Sequence, residues 1–449
     1  MLKYIIIAVY LVSMLIIGMI SARKIKSEDD YFVAGRRGNI WQITGSLLAT
    51  ILGSSAILGT ADLAFTQGWA ASWLLFCAAI GLFFLVPLSK FVRRQDKITL
   101  PQMIGEYYGS EAKIVSSTII AIAWIGIIAA QIIGAAKIMT GFTGLNYSIG
   151  VWGAGAIFIF YTIIGGQISV LKTDLYQSIL IIGGIIMTAI YLLLKEPVSP
   201  LTLTTLNFPF NEGFQPFDLV ILLLTYSTAF VVGPDIYTRL FCAENEQIAK
   251  KSVLISAFIL IPFSLCITFL GVYSAYKFPE ISQQKGSALI PVMLANLPEW
   301  GIGILVAALL SAVMSTGSTT LLTASTIISD PLSKGLNPKG AVTKTKIIML
   351  LMGVLSITLA LSVQSIIQSL LIALAMFSGA FIIPTIAGIF GYKTSKIRSS
   401  SAMIIGGVVA VCGKICCVNH LNNIGNWLII IGFILNAAIL FSPKPTKNN

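Results

Sequence analysis

The sequence predicts an all-α polytopic membrane protein of about thirteen transmembrane helices, and three observations predict it. Of 449 residues, 56% are hydrophobic and only 10% charged, against about 25% charged in a soluble domain. Apolar runs of about 20 residues, the length that crosses the hydrocarbon core as a helix, recur from end to end. Between them no stretch is long enough for a soluble domain. Finally, the basic residues alternate with the spans: 23 of the 29 fall in loops assigned to one side, Arg239 among them. The positive-inside rule makes that side cytoplasmic, with the N-terminus outside and the C-terminus in the cytoplasm.

The candidate spans are 4–21, 42–66, 70–91, 115–141, 147–166, 174–194, 216–238, 252–276, 300–328, 346–364, 367–390, 401–418 and 424–441. Span 4–21 could pass for a signal peptide, but it lacks a small-residue cleavage site and more spans follow, so it reads as a retained helix. A polar cytoplasmic loop, Lys24 to Asn39, follows it. Span 42–66 carries Ala49-Thr50-Ile51-Leu52-Gly53-Ser54-Ser55-Ala56 and Gly59-Thr60. Small residues in mid-span fit either a broken helix with freed carbonyls or a close packing face. Leu100-Pro101 to Gly109 reads as an interfacial turn, and Lys277 to Trp300 as an outer loop long enough for a short lid helix. Gly233-Pro234, and Gly379 with Pro384, are expected to interrupt their spans. Asp174 follows Thr173 where a span opens, so a cytoplasmic helix cap is one reading of it. Gln131, a lone mid-span amide, fits a solute contact or an interhelical hydrogen bond. Spans 401–418 and 424–441 form a C-terminal pair.

Several function classes are excluded. The net charge of +12 is explained by topology, which removes the case for nucleic acid. One histidine, His420, and six cysteines scattered through apolar runs supply no zinc or catalytic centre. No nucleophile, base and orienter set appears, so the chain is not read as an enzyme.

The densest chemistry lies at 312–320, Ala-Val-Met-Ser-Thr-Gly-Ser-Thr-Thr. Ser315, Thr316, Ser318, Thr319 and Thr320 place five hydroxyls in six residues of an otherwise apolar span. On a helix Ala312, Ser315, Thr316 and Thr319 share a face. Neutral oxygens on a buried face can replace the water shell of a hard cation such as Na+ without burying a charge. An ion-coupled carrier follows.

Four features then carry a family likeness. They are Asp30-Tyr31-Phe32-Val33-Ala34-Gly35-Arg36 in the first cytoplasmic loop; Gly165-Gly166 with Lys172-Thr173-Asp174-Leu175-Tyr176-Gln177; Ala312-Val-Met-Ser-Thr running on to Ser329-Asp330; and the thirteen-span layout. Over nearly its whole length the chain resembles the sodium:solute symporter family. The resemblance implies a single membrane transporter domain, 1–449, with a LeuT-like core of five plus five helices in inverted repeat. Span 4–21 would be peripheral, and 42–194 and 216–390 would be the two repeats. Carried over, the main sodium site would use the carbonyls of Ala49, Leu52 and Ala312 with the hydroxyls of Ser315 and Thr316. Asp174, Ser318 and Thr319 would form a second sodium site, if one exists. Solute contacts would come from Gly53, Ser54, Ser55, Gln131, Tyr226 and Phe230. Ile51, Ser55 and Ala56 stand where galactose carriers of the family have amides and an acidic group, which argues against a sugar.

The expected function is a sodium-coupled symporter in the cell membrane. It would import a small organic solute, an amino acid such as proline or a monocarboxylate such as pantothenate, by alternating access. Its partners would be that solute and the lipid bilayer, with no nucleic acid, and the chain is expected as a monomer. A proton-coupled carrier of the same fold, or a membrane sensor or scaffold derived from one, stays open.

Overall fold

The computed structural model describes residues 1–195, 208–278, 287, 289–332, 340–363 and 365–442. Helix α1 (Leu2–Ala22) buries Tyr10, Met14, Gly18 and Ser21, spaced three and four apart on one face. Its Ile5, Val9 and Val12 stay more than half exposed, as suits a peripheral helix against lipid. In α2 (Glu28–Val33) the Ser27 hydroxyl caps the first turn at 3.1 Å from the Asp30 N–H, and Glu28, Asp29 and Asp30 fill that turn.

Helix α3 (Ile40–Ile51) starts on a capping box between Asn39 and Gln42 and stops at Leu52. A wide π-type turn at Ser55–Gly59 leads into α4 (Thr60–Gln67), and the two halves are bent by 55°. The small residues at 49–60 therefore mark a broken helix. Next come α5 (Trp73–Arg94), α6 (Leu100–Tyr108), α7 (Ser110–Thr143) and α8 (Tyr147–Lys195). Residues 100–108 form a helix rather than the expected turn, since Thr99 caps it and Pro101 suits its first positions.

Straight, the 49 residues of α8 would reach about 74 Å, more than twice the ~30 Å hydrocarbon core. At Gly166 the backbone leaves the helical region (φ 55, ψ −175), and a Cβ there would lie 2.7 Å from the Tyr31 ring. Only glycine suits both the dihedral and that approach. The turn divides α8 into arms 147–165 and 167–195, close to two expected spans. The difference lies at 167–173, taken from sequence as a connector but helical here. Asp174 is consequently not a helix cap. It lies two turns inside the second arm and is fully buried.

The second half opens with α9 (Pro216–Leu222), a π-type turn at Leu223–Ser227, α10 (Thr228–Val232) and α11 (Pro234–Cys242). Gly233 is extended (φ −60, ψ 126), as the residue before a proline prefers, so Gly233-Pro234 does break its span. Then follow α12 (Glu246–Lys277), α13 (Leu289–Asn296), α14 (Glu299–Leu332), α15 (Ala341–Ser362) and α16 (Ile366–Ile389). Part of the expected outer lid is α13; residues 279–286 and 288 of that loop lie outside the described residues. Contrary to the reading of Gly379 and Pro384, α16 runs unbroken. Pro384 cannot donate to the Ala380 carbonyl one turn back. The Asn436 amide supplies the missing donor, 3.0 Å from Ala380 O and 2.7 Å from Gly379 O. Asn436 belongs to the last helix, α18 (Asn422–Leu440), which pairs with α17 (Lys396–Val418).

Among the described residues eleven helices are long and apolar enough to span, or twelve counting the bent pair. Taking the two arms of α8 separately gives thirteen passes. At the centre lies α14, buried along nearly its whole length from Gly301 to Asp330.

Candidate ion and solute site

The break between α3 and α4 lies against the hydroxyl-rich middle of α14. Both Ser315 Oγ and Thr316 Oγ1 donate to the Ala49 carbonyl, at 2.9 and 3.0 Å. Thr316 also reaches Thr50 O at 3.0 Å, and Ser315 reaches Ala312 O at 3.1 Å. Two hydroxyls and three carbonyls thus converge, all buried. Four of the five expected sodium ligands, Ala49, Ala312, Ser315 and Thr316, meet here, and Leu52 stands at the adjoining turn (φ −83, ψ 50) where the α3 ladder ends. The Thr50 carbonyl is an addition that hydroxyl spacing alone did not reveal.

Gln131 on α7 fixes the break. Its Oε1 accepts from the Ser54 N–H at 2.9 Å, while Ser54 Oγ donates to Ala130 O at 2.9 Å. Gly53 has no room for a side chain: a Cβ would lie 2.6 Å from Thr316 Oγ1 and 2.8 Å from Gln131 Oε1. Gly53 and Ser54 therefore serve the turn itself, and Gln131 makes the interhelical bond that was one of its two readings.

Beside the break lies a small cavity, its enclosed space about 70 Å³. It is lined by Thr50, Ile51, Ser55, Gln131, Thr316 and Thr320 on one side. Trp124, Ile127, Tyr226, Phe230, Asp235 and Leu370 line the other. Of the expected solute contacts Ser55, Gln131, Tyr226 and Phe230 are here, and the rings of Tyr226 and Phe230 meet edge-on with centroids 5.0 Å apart. Asp235 was missed. Its carboxylate accepts from Trp124 Nε1 at 2.9 and 3.1 Å and is only 8% exposed.

The trio Asp174, Ser318 and Thr319 is arranged differently from a set of converging oxygens. Ser318 Oγ donates to Ser315 O at 3.1 Å on its own helix. Asp174 accepts from Ser46 Oγ at 2.5 Å. Arg239, fully buried, sets Nη2 3.4 Å from Asp174 Oδ2 and in hydrogen-bond contact with Thr319 Oγ1. Its placement among cytoplasmic loop charges is thus corrected. One sequence signal was available: Leu240-Phe241-Cys242 continues the apolar run, and Asp235 and Arg239, four apart, share a helix face within it.

Residues 31–406 match the model of the sodium:solute symporter family. The chain belongs to that family. The symporter is 24% identical over 466 residues to the sodium/proline symporter of Escherichia coli (strain K12), covering 97% of this chain and 91% of the relative. It is 23% identical to the sodium/pantothenate symporter of the same organism, over 85% of this chain and 83% of that one. A solved structure of a Na+-coupled sialic acid symporter in a substrate-bound outward-open state superposes with a TM-score of 0.77 at 20% identity, covering 99% and 98% of the two chains. The fold is the LeuT-like one that the sequence implied. This symporter is a multi-pass membrane carrier that couples solute movement to sodium, and not an enzyme.

Proposed function

We propose that this symporter imports a small zwitterionic solute bearing a positively charged nitrogen, amino-acid-like in class, together with sodium held by Ala49, Leu52, Ala312, Ser315 and Thr316. The observation that carries the coupling is the position of Thr316. Its hydroxyl lies in the oxygen cluster at the break, and its side chain also lines the cavity. Without an ion the two hydroxyl protons point at the Ala49 carbonyl. With sodium they rotate away, so that hydroxyl and carbonyl lone pairs all face the cation. Sodium thereby clamps α14 onto the broken helix and shapes the wall against which the solute sits. Inward loss of the ion returns the hydroxyls to the carbonyls and loosens that wall.

The solute class follows from charge. Asp174, Asp235 and Arg239 leave one net negative charge buried among these helices, and Asp235 is the carboxylate that borders the cavity. A solute ammonium there meets an opposite charge and the faces of Trp124, Tyr226 and Phe230. The solute carboxylate suits Ser55, Thr320 and the positive N-terminal end of the helix that resumes after the break. A monocarboxylate lacking the nitrogen would leave Asp235 uncompensated.

With the N-terminus outside and the C-terminus in the cytoplasm of the cell membrane, repeats 42–194 and 216–390 would rock about this site, and one chain supplies all of it. Each sodium moved inward gains about 2.3 kcal/mol per 100 mV, worth roughly fifty-fold accumulation. Proteoliposome uptake across L-proline, L-alanine, betaine, pantothenate and pyruvate, with and without an inward sodium gradient, tests the proposal. Sodium-dependent uptake confined to the nitrogen-bearing zwitterions is expected. Uptake of pantothenate or pyruvate alone would overturn the solute class, and sodium-independent uptake would overturn the coupling. Asp235 favours one second reading, a proton-coupled carrier. That reading predicts uptake driven by a pH gradient in sodium-free buffer.

A further inference from the structure

We infer that the Arg239 guanidinium is a tethered cation standing where a second sodium would bind, so that this symporter carries one sodium per cycle. The inference goes beyond the coupling proposed above, and rests on it only for the transport consequence. A carboxylate buried as fully as Asp174 demands a positive partner. Around it are the oxygens a small cation would use: Asp174 itself, Ser46 Oγ at 2.5 Å from it, and Thr319 Oγ1 on α14. The protein places Arg239 Nη2 between Asp174 Oδ2 and Thr319 Oγ1. A sodium ion entering there would have to share Asp174 with the guanidinium, and the remaining negative charge, Asp235, lies a turn away against Trp124 and the cavity. Ser318, the remaining hydroxyl of the trio, is turned onto its own helix.

A purely structural role explains the arrangement less well. A buried ion pair is on average no more stabilising than apolar residues of the same volume. This one also leaves Asp174 Oδ1 and guanidinium Nε and Nη1 without a hydrogen-bond partner among the described residues. What it does supply is a permanent positive charge that joins α3, α8, α11 and α14 at one point. Such a charge needs no ion from outside, does not leave at the inner face, and adds nothing to the charge moved per turnover.

The test is equilibrium binding of ²²Na+ to the purified full-length protein, counted as ions per chain. Arg239→Ala is expected to bind one more ion than the parent, while Arg239→Lys binds the same number. A folded Arg239→Ala with no additional ion overturns the inference. So does a parent that binds two. The neutral pair Asp174→Asn with Arg239→Gln covers the case in which Arg239→Ala does not fold: its count is expected to equal the parent's, and loss of an ion overturns the inference. The difference between variant and parent is independent of the first site, because Ser315→Ala with Thr316→Ala should remove one ion from each. A parent with no bound sodium, and a gain of one on Arg239→Ala, would instead sink the coupling proposal and leave the tethered cation standing.

Discussion

Replacing Thr316 by valine keeps the shape of the side chain and removes one oxygen from the cluster. The hydroxyl is 5% exposed at most and lies 3.0 Å from both Ala49 O and Thr50 O, so no water stands ready to take its place. A hydrogen-bond-like contact to a charged group contributes about 1.5–3 kcal/mol. At about 1.4 kcal/mol per tenfold, sodium affinity should fall roughly 10- to 150-fold. Without sodium the substitution exchanges one neutral hydrogen bond, shared between the two carbonyls, for apolar contact, so folding stability should change by only about 1 kcal/mol. The assay is the sodium concentration for half-maximal uptake in proteoliposomes, with thermal unfolding as the control for fold. Ser325→Ala is the matched comparison, because that buried hydroxyl bonds only to Leu321 O one turn back and should leave sodium dependence unchanged. A Thr316→Val half-saturation within threefold of the parent would refute the reasoning, since it would mean that the hydroxyl does not face the ion.

Three further outcomes follow from the same geometry. Asp235→Asn should raise the solute concentration for half-maximal uptake by at least tenfold, with sodium half-saturation nearly unchanged, as titrating each against the other would show. Gln131→Leu strands the Ser54 N–H in a buried turn and should cost about 1–3 kcal/mol, read as a lower melting temperature; Gln131→Glu, which keeps the acceptor, should recover most of it. Gly166→Ala forces a positive φ on a residue with a Cβ and sets that Cβ 2.7 Å from Tyr31, so a loss of at least about 1 kcal/mol is expected by thermal unfolding.

Much of this architecture was legible because lipid simplifies the code. Span lengths follow from bilayer thickness, and topology from basic residues, so the layout emerged without tertiary information. The hydroxyl cluster was legible for a related reason: Ser315 and Thr316 cost too much in hydrocarbon to be there without partners. What escaped was pairing. Arg239 looked like the charged end of a span because charge in a sequence normally marks a boundary, and Asp235 drew no reading at all. Only the fold shows that each has a partner on another helix, Trp124 for one and Asp174 for the other. Of the two readings of Asp174, the cap failed because 167–173 is helical and carries Asp174 into the interior. Pro384 failed as a helix breaker because the Ala380 carbonyl it orphans is answered by Asn436 of α18, 56 residues away in sequence. The exchange of Gln131 between solute contact and turn support was undecidable from spacing, since both readings require the same mid-span amide.

The central claim is that sodium and solute share one wall, through Thr316, and so must move together. Its most direct test is L-proline accumulation in proteoliposomes clamped at zero voltage while the inward sodium gradient is varied. With one ion per solute, a tenfold sodium gradient should support tenfold accumulation, and collapsing the gradient should release it. Accumulation that ignores the sodium gradient, with the zwitterion bound all the same, would contradict the account.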